Sequence, residues 1–163
     1  MKDIVRKIRN SVDNPKEGLP EEIFLLTTEL VPMVNVDLLI RDDKGRILLS
    51  WRDDDFYGPG WHVPGGIIRL KETLEERIRK TALNEIGTEV IHGNSPIEVL
   101  QIIDDKAERR GHFVSLVYEC RLTDKMVVLN KGCTKREPGY LEWFETFPED
   151  MIPEHYVYKK YFI

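Results

Sequence analysis

The sequence predicts a single α+β domain in which strands are layered with helices. Three observations carry that prediction. Apolar, β-rich runs recur from Met33 onward, one capped helix interrupts them after a Pro-Gly-Gly bend, and helical patterns stand at both ends. With 163 residues the chain is long enough to bury one core without disulfides or a structural metal.

In chain order, residues 1–18 form a polar, mixed-charge leader, a short helix followed by the turn formers of "DNPKEG". Residues 19–163 make the domain. "LPEEIFLLTTELV" reads as a helix with Pro20 at its first turn and acids at the dipole-favoured end. "MVNVDLLIR" and "GRILLSWR" are strands joined by "DDKG", a hairpin signal. With Asp42 to Gly45 as the loop, Arg52 would face Asn35 and lie diagonally from Asp37. A functional ion pair and a solvent-facing one are both open there. "TEVI", "PIEVLQII" and "HFVSLVYECRL" extend the sheet, with His112, Val114, Leu116, Tyr118 and Cys120 on one face. "YLEWFE" adds a strand, and "PEHYVYKKYF" a last helix opening at Pro153.

Composition narrows the class of function. Apolar residues at 41% and charged residues at 33% are those of a soluble globular protein. No apolar run approaches the ~18 residues of a membrane span. The N-terminus lacks a signal peptide's apolar segment, so the cytoplasm is the default location. With 29 acids against 24 bases, nothing draws the chain to nucleic acid, and an anionic ligand needs local cations or a metal. Cys120 and Cys133 lack metal-site spacing and are expected to be free thiols.

The chemistry concentrates in "WHVPGGIIRLKETLEERIRKTALNEIG", from Trp61 to Gly87. Gly65 and Gly66 let backbone approach a ligand, and a carbonyl there could bind a cation. Thr73 with Glu76 forms a capping box, so a helix begins near Thr73. Leu74, Ile78, Ala82 and Ile86 give it an apolar stripe. Thr81, Asn84 and Glu85 share the adjoining face, and Gly87 is the αL cap.

This loop, helix and glycine resemble a Nudix box, G-x5-E-x7-R-E-U-x-E-E-x-G-U with U apolar. Gly66, Glu72, Ala82, Glu85 and Gly87 match. Lys80 replaces arginine, Thr81 and Asn84 replace two metal-binding glutamates, and Thr88 fills the last apolar slot. The resemblance implies the Nudix fold, a mixed sheet between helices in α/β/α layers. It also implies a hydrolase of small nucleotides in which helix carboxylates hold Mg²⁺ against a diphosphate. From residue 19 onward the chain is most similar to the GDP-mannose mannosyl hydrolase branch. The shared features are "ETLE", a single final glutamate before "IG", Pro32-x-Val34-x-x-Asp37, the Asp37 to Arg52 separation, and Tyr140-x-x-Trp143.

That branch implies water attack at the sugar's anomeric carbon, with release of an intact nucleoside diphosphate stabilised by one Mg²⁺ and cationic side chains. Mn²⁺ is the substitute ion, and a homodimer is what the resemblance suggests for assembly. The Gly65 carbonyl and Glu85 would be metal ligands, and Asp37 and Arg52 would orient and neutralise the substrate. Arg52 and Glu85 thereby count as catalytic. The branch's Gln-His pair aligns with Glu137-Pro138, which makes Glu137 a third metal candidate, open against an exposed loop acid. Its arginine after Gly-Gly is Ile67 here, and its diphosphate tyrosine falls at Phe113, a candidate substrate contact.

His112, next to Phe113, is carried as a catalytic candidate against the plainer reading of a hydrogen-bonded core histidine. Glu72 and Lys80 are expected to pair and brace the bend. His62 and His155 belong to no motif. Phe56 and Tyr57 are open between stacking on a nucleobase and packing beneath their loop, while Asp53 to Asp55 read as a solvated turn. Two other functions remain open at this point: a conventional pyrophosphohydrolase acting at phosphorus, and a Nudix-fold nucleotide-binding module without turnover.

Overall fold

The computed structural model describes residues 1–123, 130 and 132–162. Helix α1 (Lys2–Asn10) buries no residue, and α2 (Glu21–Leu30) follows directly on Pro20 and buries Leu25 and Thr28. Then come β1 (Met33–Ile40), β2 (Ile47–Arg52), β3 (Gly60–His62), β4 (Gly65–Ile67), α3 (Leu74–Glu85), β5 (Val90–His92), β6 (Glu98–Ile103), β7 (His112–Leu122) and β8 (Leu141–Phe144). A 3₁₀ helix, Pro153–Tyr161, closes the chain.

Two sheets form. One is mixed: β1 lies between β4, antiparallel to it, and β7, parallel to it, and both β5 and β6 pair with β7. The other is antiparallel, in the order β3-β2-β8. Residues 35–40 of β1 are all buried, the signature of a strand covered on both faces. On one face Val36, Leu38 and Ile40 join Tyr118 and Cys120 against Ile78, Ala82 and Ile86 of α3. On the other, Leu39 and Val117 pack with Ile47, Leu49, Trp61 and Tyr158 from the second sheet and the 3₁₀ helix.

The expected hairpin forms its turn but not its ladder. Gly45 has φ +81°, and Asp42 accepts from the Lys44 and Arg46 amides. After the single bridge from Arg41 to Ile47 the strands part into different sheets. Each already has both edges occupied, β1 by β4 and β7, β2 by β3 and β8. Asn35 therefore faces Ile67 and Ser115, and Arg52 faces Gly60, so the predicted cross-strand placement of Arg52 against Asp37 does not occur.

The capping box on α3 is present in both directions, and Gly87 takes φ +83°. The buried stripe begins at Ile78, because Leu74 at the first helical position is 39% exposed. The closing helix is 3₁₀ throughout, which brings residues three apart onto one edge. His155, Tyr158 and Tyr161 stack there, with centroid separations of 5.0 and 6.3 Å.

Candidate active site

A cavity of about 560 Å³ opens between the box helix, the ends of β1 and β2, and the 3₁₀ helix. Asp37 and Gly65 stand opposite each other across β1 and β4. The Leu38 amide donates to the Pro64 carbonyl, so Asp37 and Gly65 form the alternate, non-hydrogen-bonded pair. Because β4 is an edge strand, the Gly65 carbonyl is directed away from β1, to the outer side of the sheet. A Cβ on Gly65 would meet Asp37 Oδ1 at 2.2 Å, so only glycine allows this approach.

Asp37 is 2% exposed, accepts from Asn35 Nδ2 at 2.6 Å, and accepts from the Tyr158 hydroxyl on its other oxygen. Burial pushes its carboxyl up; hydrogen bonds from Tyr158, Ser115 and Asn35 and the charge of His62 offset that only in part.

Glu85 ends α3 with its carboxylate over the cavity, Oε2 lying 3.7 Å from His62 Nε2. The His62 Nδ1 sits 2.8 Å from the Ser50 carbonyl, which can only accept. Nδ1 therefore carries a proton, and Nε2 faces the Glu85 carboxylate. His155 has the opposite arrangement, its Nδ1 accepting from the Val63 amide at 2.9 Å. Burial, reinforced by the charges of His62 and Arg52, holds His155 well below the ordinary histidine value.

Beneath the bend, Glu72 accepts from the Arg69 amide, from Arg77 through Nε and Nη2, and from Lys80 at 3.1 Å. Burial alone would raise its carboxyl, but these partners outweigh it and hold the group low. The brace is buried and bidentate, which gives it the weight an exposed pair lacks.

The sequence profile of the NUDIX domain matches residues 31–160. The chain belongs to the Nudix family. Nudix hydrolases act on small-molecule nucleotide substrates and generally use divalent metals. The chain is 30% identical over 120 residues to the Low-salt glycan biosynthesis protein Agl8 of Haloferax volcanii, which covers 71% of this chain and 76% of that one. Among solved structures it resembles a MutT NUDIX hydrolase from Burkholderia pseudomallei, with TM-score 0.56, 22% identity, and 80% and 97% of the two chains covered. It also resembles a MutT protein from Methanosarcina mazei Go1, with TM-score 0.57, 19% identity, and 80% and 90% covered. At those identities the structural likeness is one of fold.

Within this Nudix site, Asp37, Arg52, Gly65, Gly66, Glu85 and Phe113 line one cavity. His112 does not, because side chains alternate along β7. Phe113 and Ser115 face the cavity, while His112 turns away and meets Gln101 at 3.0 Å. Glu137 is also outside the lining. It is exposed and accepts from the Thr134 amide at 2.9 Å, and Pro138 and Gly139 reach the cavity instead. Arg52 is held by Asp54 and lies over the Tyr57 ring at 4.6 Å. Asp54 also accepts from the Phe56 and Tyr57 amides, so the middle acid of the run is turned into its own loop.

Among the described residues no three His, Cys, Asp or Glu side chains group to hold a metal ion. The available donors are the Glu85 carboxylate, the Gly65 carbonyl and Thr81 Oγ1, which is buried without a partner among the described residues. That oxygen set suits a hard divalent cation. His62, Ser50 and Arg110 also line the cavity, and no spacing in the sequence points to them.

Proposed function

We propose that the chain is a Mg²⁺-dependent hydrolase of a nucleoside diphosphate derivative. A nucleotide sugar of the GDP-mannose type is the favoured substrate, cleaved to sugar and nucleoside diphosphate. The observation that carries this reading is the box itself: Glu85 is the carboxylate it keeps over the cavity, with Thr81 and Asn84 on the same face. One bound Mg²⁺, with Mn²⁺ as substitute, would supply charge neutralisation for the departing diphosphate.

Glu85 and the Gly65 carbonyl would hold that ion. Arg52 would pair with phosphoryl oxygens, and Phe113 would pack against the substrate. Asp37 is buried and fully engaged, which suits it to fix the polar floor on which the sugar or ribose hydroxyls rest. His62 Nε2, beside Glu85, is placed to hydrogen-bond the attacking water and orient it. A relative whose printed name concerns glycan biosynthesis supports a sugar-bearing substrate.

A conventional pyrophosphohydrolase acting at phosphorus would need further metal ligands from outside the box. A binding module without turnover is the other reading, favoured by Thr81 and Asn84 at the two vacant carboxylate positions. The decisive experiment incubates the protein with GDP-mannose, GDP-glucose, UDP- and ADP-sugars and nucleoside triphosphates in H₂¹⁸O with Mg²⁺. Label in the released sugar supports attack at carbon, and label in phosphate supports the pyrophosphohydrolase. Tight nucleotide binding with no product from any compound favours the module. Glu85→Gln should lose most Mg²⁺-dependent turnover.

A further inference from the structure

Arg110 stands on the cavity wall, packed against α2 and the 53–59 loop, with φ +56°. Its backbone amide donates to Thr28 Oγ1 at 3.2 Å, and its carbonyl accepts from the Tyr57 hydroxyl at 2.6 Å. The guanidinium is surrounded by aromatic faces, with Cζ at 5.7 Å from the Phe24 centroid, 5.0 Å from Phe56 and 5.2 Å from Tyr57.

Yet its Nε is buried with no hydrogen-bond partner among the described residues. Asp54, a carboxylate of that wall, is already taken by Arg52 and two loop amides. A positioned guanidinium whose buried Nε lacks an acceptor among the described residues carries a desolvation cost that a ligand oxygen would relieve. Burial pushes the guanidinium down from its ordinary value, opposed by Tyr57, and it remains a cation at neutral pH. Arg52 packs on the same Tyr57 ring, so two guanidiniums border one part of the cavity. Planar forks of this kind match phosphoryl oxygens.

We propose that Arg110 binds a phosphoryl group of the substrate, acting beside Arg52 from a wall separate from Glu85 and Gly65. The proposal rests on the nucleoside diphosphate reading for its substrate class and adds to it a second anchor for the diphosphate.

The test titrates the full chain, in EDTA, with inorganic pyrophosphate, GDP and guanosine by calorimetry. Arg110→Gln should weaken pyrophosphate and GDP by roughly tenfold or more and leave guanosine unchanged. Arg110→Lys, which keeps charge without the fork, should fall between. A thermal midpoint for Arg110→Gln close to the wild type's would separate lost binding from lost folding. A lowered midpoint with unchanged pyrophosphate affinity would mean a packing role and overturn the proposal.

Should the variants not fold, the wild-type chain with ¹⁵N-arginine gives the same answer. The Arg110 Nε–H resonance should shift on titration with pyrophosphate and not with sodium chloride, and an unmoved resonance counts against the proposal. Failure of the hydrolase reading is separable: pyrophosphate binding through Arg110 without nucleotide-sugar turnover would refute the reaction and keep this site. Turnover with Arg110→Gln binding GDP normally would do the reverse.

Discussion

Gly66 and Thr81 interlock the Pro-Gly-Gly bend with the box helix: a Cβ on Gly66 would meet Thr81 Oγ1 at 2.3 Å and Arg77 Cδ at 3.1 Å. Thr81 is 2% exposed, packed between the helix and the bend, so any shift of its side chain carries a cost. Gly66→Ala should therefore cost about 1–3 kcal/mol, the usual range for overpacking. Adding Thr81→Ala removes the opposing atom and should restore much of that loss. A double-mutant cycle by urea unfolding checks it, and simple additivity of the two changes would refute the interlock.

The Glu72 brace predicts a larger loss. Its side chain is 1% exposed and that of Arg77 11%, whereas Lys80 is 37% exposed and contributes less. Glu72→Ala strands the buried Arg77 guanidinium and the Arg69 amide together. Breaking one side of a buried pair costs about 3–5 kcal/mol. The urea midpoint should fall by a corresponding amount with little change in slope, and a loss below about 1 kcal/mol would reduce the brace to a surface pair.

Asn84, exposed on the cavity rim beside Glu85, offers a test of the proposed metal site. Asn84→Glu returns a carboxylate to the box, and hard cations favour added anionic oxygen. In EDTA the variant should be slightly less stable, because two adjacent acids repel. Its affinity for Mn²⁺ should rise at least tenfold, about 1.4 kcal/mol. Its melting temperature should then climb more steeply with Mn²⁺ than the wild type's. Equal Mn²⁺ titrations for the two chains would show that residue 84 does not face the ion.

How much of this was legible in sequence depended on whether the signal was local. The α3 cap at Thr73 and Glu76, the Gly87 terminus and the Glu72 to Lys80 pair all lie within a few turns of chain, and each is present. The placement of Arg52 against Asp37 failed because strand pairing depends on which edges other strands occupy, and β4 and β7 had taken those of β1. His112 was a question of strand phase, which put Phe113 in the cavity and turned His112 out of it. His155 reaches the site through the threefold repeat of a 3₁₀ helix, a period that an α-helical reading does not consider. Arg110 comes from a loop and is defined only by the rings that fold around it.

His155 gives the protein a pH-dependent term whose sign follows from its burial. Its folded-state affinity for protons lies well below the ordinary value of 6.5, so below that pH the unfolded chain binds more protons than the folded one. Stability from this residue is complete above pH 6.5 and is lost progressively as pH falls beneath it. One titrating group can change stability by at most about 1.4 kcal/mol per pH unit. Between pH 6.5 and 5 the lowered carboxylates, Glu72 and Asp54 among them, stay ionised, so their own acid losses come later. His155→Gln keeps an acceptor for the Val63 amide but cannot take a proton. Its unfolding free energy should accordingly decline less than the wild type's from pH 6.5 to 5. Parallel pH profiles for the two chains would mean that His155 titrates freely in the folded state.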